Sequence, residues 1–401
     1  MQDVTISGTE SLPVCTFTLE GFSFSGWNTK ADGSGTTYAD KGYCTPKEDM
    51  TLYAQWGEPK ASVTTTSGTT TSYATLAAAL AAAPGNSTIT LEANSTTPAS
   101  GLTITKSITL DLNGRTIEAA SNQYESLLVV AEQGSLTIKD SKGTGKITLS
   151  KSITTGSGTI KNEGKLTING GTIENTGTES KSYAIFSLGG TVTINGGTIT
   201  SASANAINKN SSIGGKMTLS VTGGTISSTN ADAIVIGSGD AIAISGGTIS
   251  SGKGIAIKSN LNDGTATISG GTIKSNETYA ISGLDIILSG APIIQGKNAD
   301  ICLKNGDFYW KNNKIAGPLT MAAPLKITDG KEPAETKWYS STTVFSADTS
   351  YTITSEDVSK LSFVDSTGAA YKAVLGSVTY NYSLEKDGSG SSITLKGTPN
   401  Y

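Results

Sequence analysis

Histidine is absent from this chain of 401 residues, and arginine occurs once, at Arg115. Without an imidazole no mixed Cys/His metal site can form. Charged residues are only 15% of the chain, the formal net charge is −4, and no basic run occurs. Nucleic-acid binding through phosphate neutralisation is therefore not expected. No apolar run is long enough to span a bilayer as a helix, so no membrane insertion is expected. Cysteine is scarce: Cys15, Cys44 and Cys302. Cys302 falls in an apolar strand-like run and reads as a core residue. Cys15 and Cys44 share one short N-terminal stretch. A disulfide between them is one reading, suited to an oxidising exterior; two small buried residues is the other.

What is abundant is Thr, Ser, Gly and Ile in a repeating phrase. It reads LTINGGTIEN at 166–175, VTINGGTITS at 192–201, LSVTGGTISS at 219–228, IAISGGTISS at 242–251 and ATISGGTIKS at 266–275. The phrase returns every 23–27 residues, the signature of a solenoid. Each copy is a short alternating strand, a Gly-Gly turn and a second short strand. A third apolar step follows each copy, as in Tyr183-Ala184-Ile185 and Asp232-Ala233-Ile234. No repeat contains a helix-length segment. Stacked coil on coil, Ile173, Ile199, Ile226, Ile249 and Ile273 would form one inward ladder, and Ile168, Ile194, Val221, Ile244 and Ile268 another. The expected fold is an all-β right-handed parallel β-helix over residues 73–305.

Residues 1–57 have a different texture, with Trp27, Trp56 and a dense aromatic set. The text runs Gly21-Phe22-Ser23-Phe24-Ser25-Gly26-Trp27-Asn28-Thr29 and closes on Leu52-Tyr53-Ala54-Gln55-Trp56. Over about residues 12–56 this resembles the Listeria–Bacteroides repeat, also called the internalin B-type repeat. The resemblance implies a small β-grasp-like module of bacterial surface proteins, and 1–57 is read as a partial copy. The stretch Asp32-Gly33-Ser34-Gly35 offers one carboxylate, too few for a calcium loop, and reads as a tight turn.

Residues 58–72 read as a Thr/Ser linker. Tyr73–Gly85 is Ala- and Leu-rich and stopped by Pro84-Gly85, so a short helix is expected to cap the first coil. From this helix through Ile108–Ile117 the chain resembles the opening of pectin-lyase-like β-helices in bacterial surface proteins. Residues 306–401 lose the period and read as irregular coils or a small β cap.

Some β-helices degrade polysaccharides, so catalysis would need its own residues here. Gly252–Asn260 resembles a polygalacturonase rung, but Lys253 and Gly254 stand where that family has paired aspartates. Arg115 lacks the acidic cluster that a pectate-lyase site would need. Catalytic, cofactor-binding and metal residues are therefore assigned to no position. The position before the Ala-Ile step reads Tyr183, Asn205, Asp232, Gly254 and Tyr279, recurring at Asp300. It is either a glycan-binding strip or a corner ladder that satisfies turn backbone. Tyr309 and Trp310, next to Phe308, pose a similar choice between an exposed platform and filler under a cap. The expected function is a non-catalytic adhesion or structural protein, extracellular or at the cell surface. Its expected partners are polysaccharide, host glycoprotein or other modules of a longer surface protein. A polysaccharide-degrading enzyme and a ligand-free stalk are the alternatives.

Overall fold

The computed structural model describes residues 8–302 except 18, 20–21, 47, 120–125, 151–156, 210–213 and 262. Beyond 302 it describes 313–321, 323, 325–328, 346–347, 361–363, 383–386 and 393–396. A parallel β-solenoid of about eight turns dominates. Its three faces are sheets of thirteen, nine and eleven strands. Each repeat phrase supplies a strand to the first face, such as Gly190–Ile194, and one to the second, such as Thr198–Ser201. The x-Ala-Ile step leads into the third, as at Ile207–Lys209.

Register follows the phrase letter for letter. On the second face Ile147, Ile173, Ile199, Ile226, Ile249, Ile273 and Ile294 pair in succession. On the first, Ile138, Ile168, Ile194, Val221, Ile244, Ile268 and Leu288 do the same. The third face stacks Ile160, Ile185, Ile207, Ile234, Ile257, Ile281 and Ile301. These residues are buried and belong to one continuous core. Both expected ladders are present, and the third face adds a third. Fully burying a branched side chain of this size is worth about 1.5–3 kcal/mol, so the core sums many small equal contributions along the axis.

The Gly-Gly turn joins the first two faces. The second glycine of each pair, Gly171, Gly197, Gly224, Gly247 and Gly271, has φ between +75° and +79°. A side chain resists that conformation. Space forbids one as well: a Cβ on Gly197 would sit 2.6 Å from the Gly171 carbonyl oxygen of the preceding coil. A Cβ on Gly196 would sit 2.6 Å from the Asn169 oxygen. The turns therefore stack backbone on backbone, which only glycine permits.

The ends differ from the sequence reading. Residues 58–72 are not a linker: Ala61–Thr64 and Thr70–Tyr73 form an antiparallel hairpin, and its first strand pairs with Ser87–Leu91. Val63 alternates inward and joins the core, a signal too short to stand out among threonines. The helix α1 (Leu76–Ala82) is where expected, started by Thr75, whose hydroxyl accepts from the Ala78 N–H. Leu76 and Ala79 bury against the first coil. Nor does the rod stop at 305. Lys314–Leu319 and Leu325–Thr328 continue the first and third faces in parallel register, followed by Ser346–Ala347 and Leu361–Phe363. Ser383–Lys386 and Ile393–Lys396 pair antiparallel.

Replacing Gly197 by Ala should destabilise the rod by about 2–4 kcal/mol, from left-handed strain plus the clash. Gly215→Ala is the control, because Gly215 has open space around its Cβ position. That control should stay within about 0.5 kcal/mol of wild type. Urea unfolding of both variants checks the pair.

Candidate binding strip on the third face

The strip is built where each coil enters the third face. Extending the register from the Ile185, Ile207, Ile234, Ile257 and Ile281 pairs stacks Tyr183, Asn205, Asp232, Ile255 and Tyr279. Two members of the expected column are thereby corrected. Gly254 lies one residue early, because its coil holds Ile255 before Ala256-Ile257. Asp300 lies one residue late: the Ile281 N–H donates to the Asp300 carbonyl, as the Ile257 N–H does to that of Ala280. At about 4.8 Å per coil, Tyr183 and Tyr279 stand roughly 19 Å apart along the axis.

Three positions further on, the residue that points away from the core on the same strand packs beside the strip; Phe186, Asn208 and Val235 are themselves buried there, whereas Lys258 and Ser282 are half-buried. Phe186, Asn208, Val235, Lys258 and Ser282 pair in succession. Tyr183 stacks on Phe186 with ring centroids 5.5 Å apart and planes 9° from parallel. Asn205 Nδ2 donates to Asn208 Oδ1 at 2.8 Å. Asp232 Oδ2 pairs with Lys258 Nζ at 3.6 Å, while its Oδ1 accepts from the Ile255 N–H at 2.7 Å. Asp232 thus serves the turn and the strip together. Burial pushes the Tyr183 hydroxyl above its ordinary pKa, so it stays a neutral donor. Tyr279 is half-buried. Phe186, Asn208 and Lys258 were missed in the sequence, although x-Ala-Ile-z recurs as Tyr-Ala-Ile-Phe, Asn-Ala-Ile-Asn and Asp-Ala-Ile-Val.

A second column holds the strip in place from inside. The last residue of the repeat phrase is polar yet buried: Asn175, Ser201, Ser228, Ser251 and Ser275. Ser201 Oγ donates to the Ser182 carbonyl, Ser228 to Ala204, Ser251 to Ala231 and Ser275 to Gly254, at 3.0, 2.8, 2.7 and 2.8 Å. Each of those carbonyls immediately precedes a strip residue. Asn175 Nδ2 reaches the Tyr183 carbonyl itself at 2.9 Å. The hydroxyls of Ser201, Ser228 and Ser275 also accept from the N–H groups of Ala204, Ala231 and Thr278. The loops that enter the third face ahead of Tyr183, Asn205, Asp232 and Ile255 are thus each pinned by the serine of the next coil.

Other candidates stand apart. Cys15 and Cys44 are free thiols, Cys15 near the Phe17 carbonyl and Cys44 near the Met50 sulfur. The two are not bridged in this structure. Phe308, Tyr309 and Trp310 lie outside the described residues. Among the described residues, no three His, Cys, Asp or Glu side chains gather closely enough to hold a metal ion. No described helix is long and apolar enough to cross a membrane.

The N-terminal module has two small antiparallel sheets. Ser23–Asn28 lies between Thr37–Tyr38 and Tyr53–Gly57, and Glu10–Ser11 pairs with Tyr43–Cys44. Phe24 contacts Trp27 and Trp56 edge-on at 5.0 and 5.7 Å. Gly26 sits at φ +141° where the register slips, close under the Tyr38 carbonyl. Asn28 organises the following loop: its Oδ1 accepts from the N–H groups of Lys30 and Gly35, and its Nδ2 donates to Gly33. Asp32 caps that tight turn by accepting from Ser34. Gly26, Trp27 and Asn28 belong to the Gly-Trp-x-Thr motif. Residues 2–55 match the family model of the Listeria-Bacteroides repeat domain. The match begins ahead of residue 12, so it covers more of the chain on the N-terminal side than the 12–56 resemblance. Listeria-Bacteroides repeat domains occur in bacterial surface proteins, and a β-helix is compatible with that setting. No curated protein and no solved structure matches this chain.

Two predictions follow the geometry. Ser228→Ala should cost about 1–3 kcal/mol, because the Ala204 carbonyl and Ala231 N–H lose a buried partner. Urea unfolding reads this loss. Asp300 is buried, and burial raises its pKa despite hydrogen bonds from the Gly296 and Lys326 N–H groups. A raised folded-state pKa gives a stabilising contribution that is full below the unfolded value of about 3.9 and is lost as pH rises through the folded value. The stability difference between wild type and Asp300→Asn should therefore shift against wild type across that window. Melting curves of both proteins from acid to neutral pH check it.

Proposed function

We propose that this protein is a non-catalytic adhesion rod of the bacterial cell surface that binds polysaccharide or host glycans along its third face. The observation that carries the reading is the strip itself. It places an aromatic pair and an amide pair on successive coils and an ion pair that bridges the next two, with Tyr279 beyond them. Sugar rings present apolar faces for aromatic stacking and hydroxyls for amides and carboxylates, and a polymer matches a repeating strip better than a closed pocket does. The N-terminal repeat domain supports a surface setting. The carboxylate of Asp232 is held by a backbone N–H and by Lys258. That arrangement suits a fixed acceptor better than a group that must exchange protons.

The test incubates the purified protein with immobilised plant, microbial and host glycans and reads both retention and release of new sugar ends. Retention without release is expected on at least one glycan. Tyr183→Ala should weaken it about tenfold, the equivalent of ~1.4 kcal/mol. New ends that scale with protein would replace this reading with a polysaccharide-degrading enzyme. Neither signal on any glycan would leave the ligand-free stalk.

A further inference from the structure

The three faces are not finished alike at the start of the rod. The first face begins under the hairpin, whose strand Ala61–Thr64 takes up the hydrogen-bonding edge of Ser87–Leu91. The third face begins with Leu102–Ile104, and among the described residues no strand lies beyond it. Gly101 starts this strand at φ +72°, packed so closely under the Ser126 carbonyl that a side chain would collide. The Leu102 N–H donates to the Leu127 carbonyl, and the Ile104 carbonyl accepts from the Ala131 N–H. In a parallel ladder, alternate residues direct both backbone groups to the same side. Leu102 and Ile104 face the next coil, so the N–H and C=O of Thr103 face outward.

That edge opens into a cleft of about 270 Å³. One wall is Gly101–Lys106 with Ile108, and the other is α1 through Ala77, Leu80 and Ala81. Ala77 and Ala81 are exposed, whereas Leu80 also packs on the core. At one end Lys106 Nζ donates to the Ala83 carbonyl at 3.0 Å, tying the strand to the end of the helix. Lys106 is the one charged residue lining the cleft.

We infer that this cleft is a docking site for an extended peptide that adds a strand to the free edge of Leu102–Ile104. Three properties select that occupant. The outward backbone pair at Thr103 asks for a complementary N–H and C=O, which an extended chain supplies. The apolar helix wall takes alternate side chains of the incoming strand. The lone ammonium of Lys106 calls for a carboxylate on the peptide at that end. The site is independent of the glycan strip, which lies on later coils.

The probe is a fluorescein-labelled peptide, Ser-Leu-Leu-Val-Val-Ala-Glu. It copies Ser126–Glu132, which holds the strand pairing with the opposite edge of Leu102–Ile104 and ends in a carboxylate. Fluorescence polarisation with the full chain should show saturable binding at roughly 100 µM or tighter. Thr103→Pro removes the outward donor and leaves the Leu102 and Ile104 bonds to the next coil, a position where an edge strand tolerates proline. Ala81→Trp fills the cleft from the exposed side of the helix. Each variant should bind about tenfold more weakly with an unchanged melting temperature, and a peptide with Lys in place of its Glu should lose affinity for the wild type. If Thr103→Pro fails to fold, Ala81→Trp decides. No saturable binding, or equal binding by the folded variants, would overturn the inference. So would self-association of the wild type that the probe does not compete with and that Ala81→Trp abolishes, since a second copy would then be the occupant.

Discussion

Every coil is held by the backbone hydrogen bonds it makes with the coil before it. Those bonds run in register, so each letter of the repeat phrase lies over the same letter of the preceding copy. The consequence reaches every side chain. Isoleucine lies over isoleucine through the core, glycine over glycine at the corner and serine over serine beneath the loops. A slip of one residue would turn a whole buried ladder outward. The five close copies of the phrase are what one shared register demands, and the variable residues fall where that register leaves room.

From the coil of Gly196 onward, room is left mainly after the third face. In those coils nine residues separate the first turn glycine from the strip position: Gly196 to Asn205, Gly223 to Asp232, Gly246 to Ile255 and Gly270 to Tyr279. Differences in coil length are absorbed after the third face. The constant segment is the one that the buried serines pin, through a hydroxyl that donates to the preceding loop and, at Ser201, Ser228 and Ser275, also accepts within its own. A buried hydroxyl is tolerated because it is paired, and the pairing makes the loop path repeatable. The repeatable path in turn lets Tyr183, Asn205 and Asp232 act as neighbours although 22 and 27 residues of chain separate them.

The solenoid was legible in the sequence because many residues voted for it: periodic Gly-Gly, alternating Ile, and the Ala-Ile step. The terminal repeat domain was legible because Gly26-Trp27, Asn28 and Trp56 each have a distinct structural task. What escaped was carried by few or small residues. The hairpin at 61–73 is mostly threonine and serine, and only pairing with Ser87–Leu91 gives its alternation a direction. The buried serines look like any surface serine until the neighbouring coil is in place. Gly254 looks like a strip residue in sequence because it opens the Gly-Ile-Ala-Ile step, whereas the nine-residue spacing points to Ile255. Phe186, Asn208 and Lys258 escaped for another reason: a strand's outward residue acquires meaning from the residue beside it in space, and that neighbour belongs to another coil.

A solenoid solves its core problem in one dimension and leaves its edge problem at the ends. Along the axis the described strands of each face pair coil to coil, and their outer surface presents side chains. At the first coil the first face is covered by the hairpin and the core by α1, yet the helix spans only the seven residues Leu76–Ala82. At 1.5 Å per residue that is about 10 Å, too short to cover three faces as well as the core beneath them. The hydrogen bond from Lys106 to the Ala83 carbonyl ties the end of the helix to the strand, and the cleft lies between them. The same contact that secures the end of the rod thus shapes an open strand beside an apolar wall. The rod therefore offers two kinds of surface: side chains repeated along its length, and backbone exposed where the repetition begins.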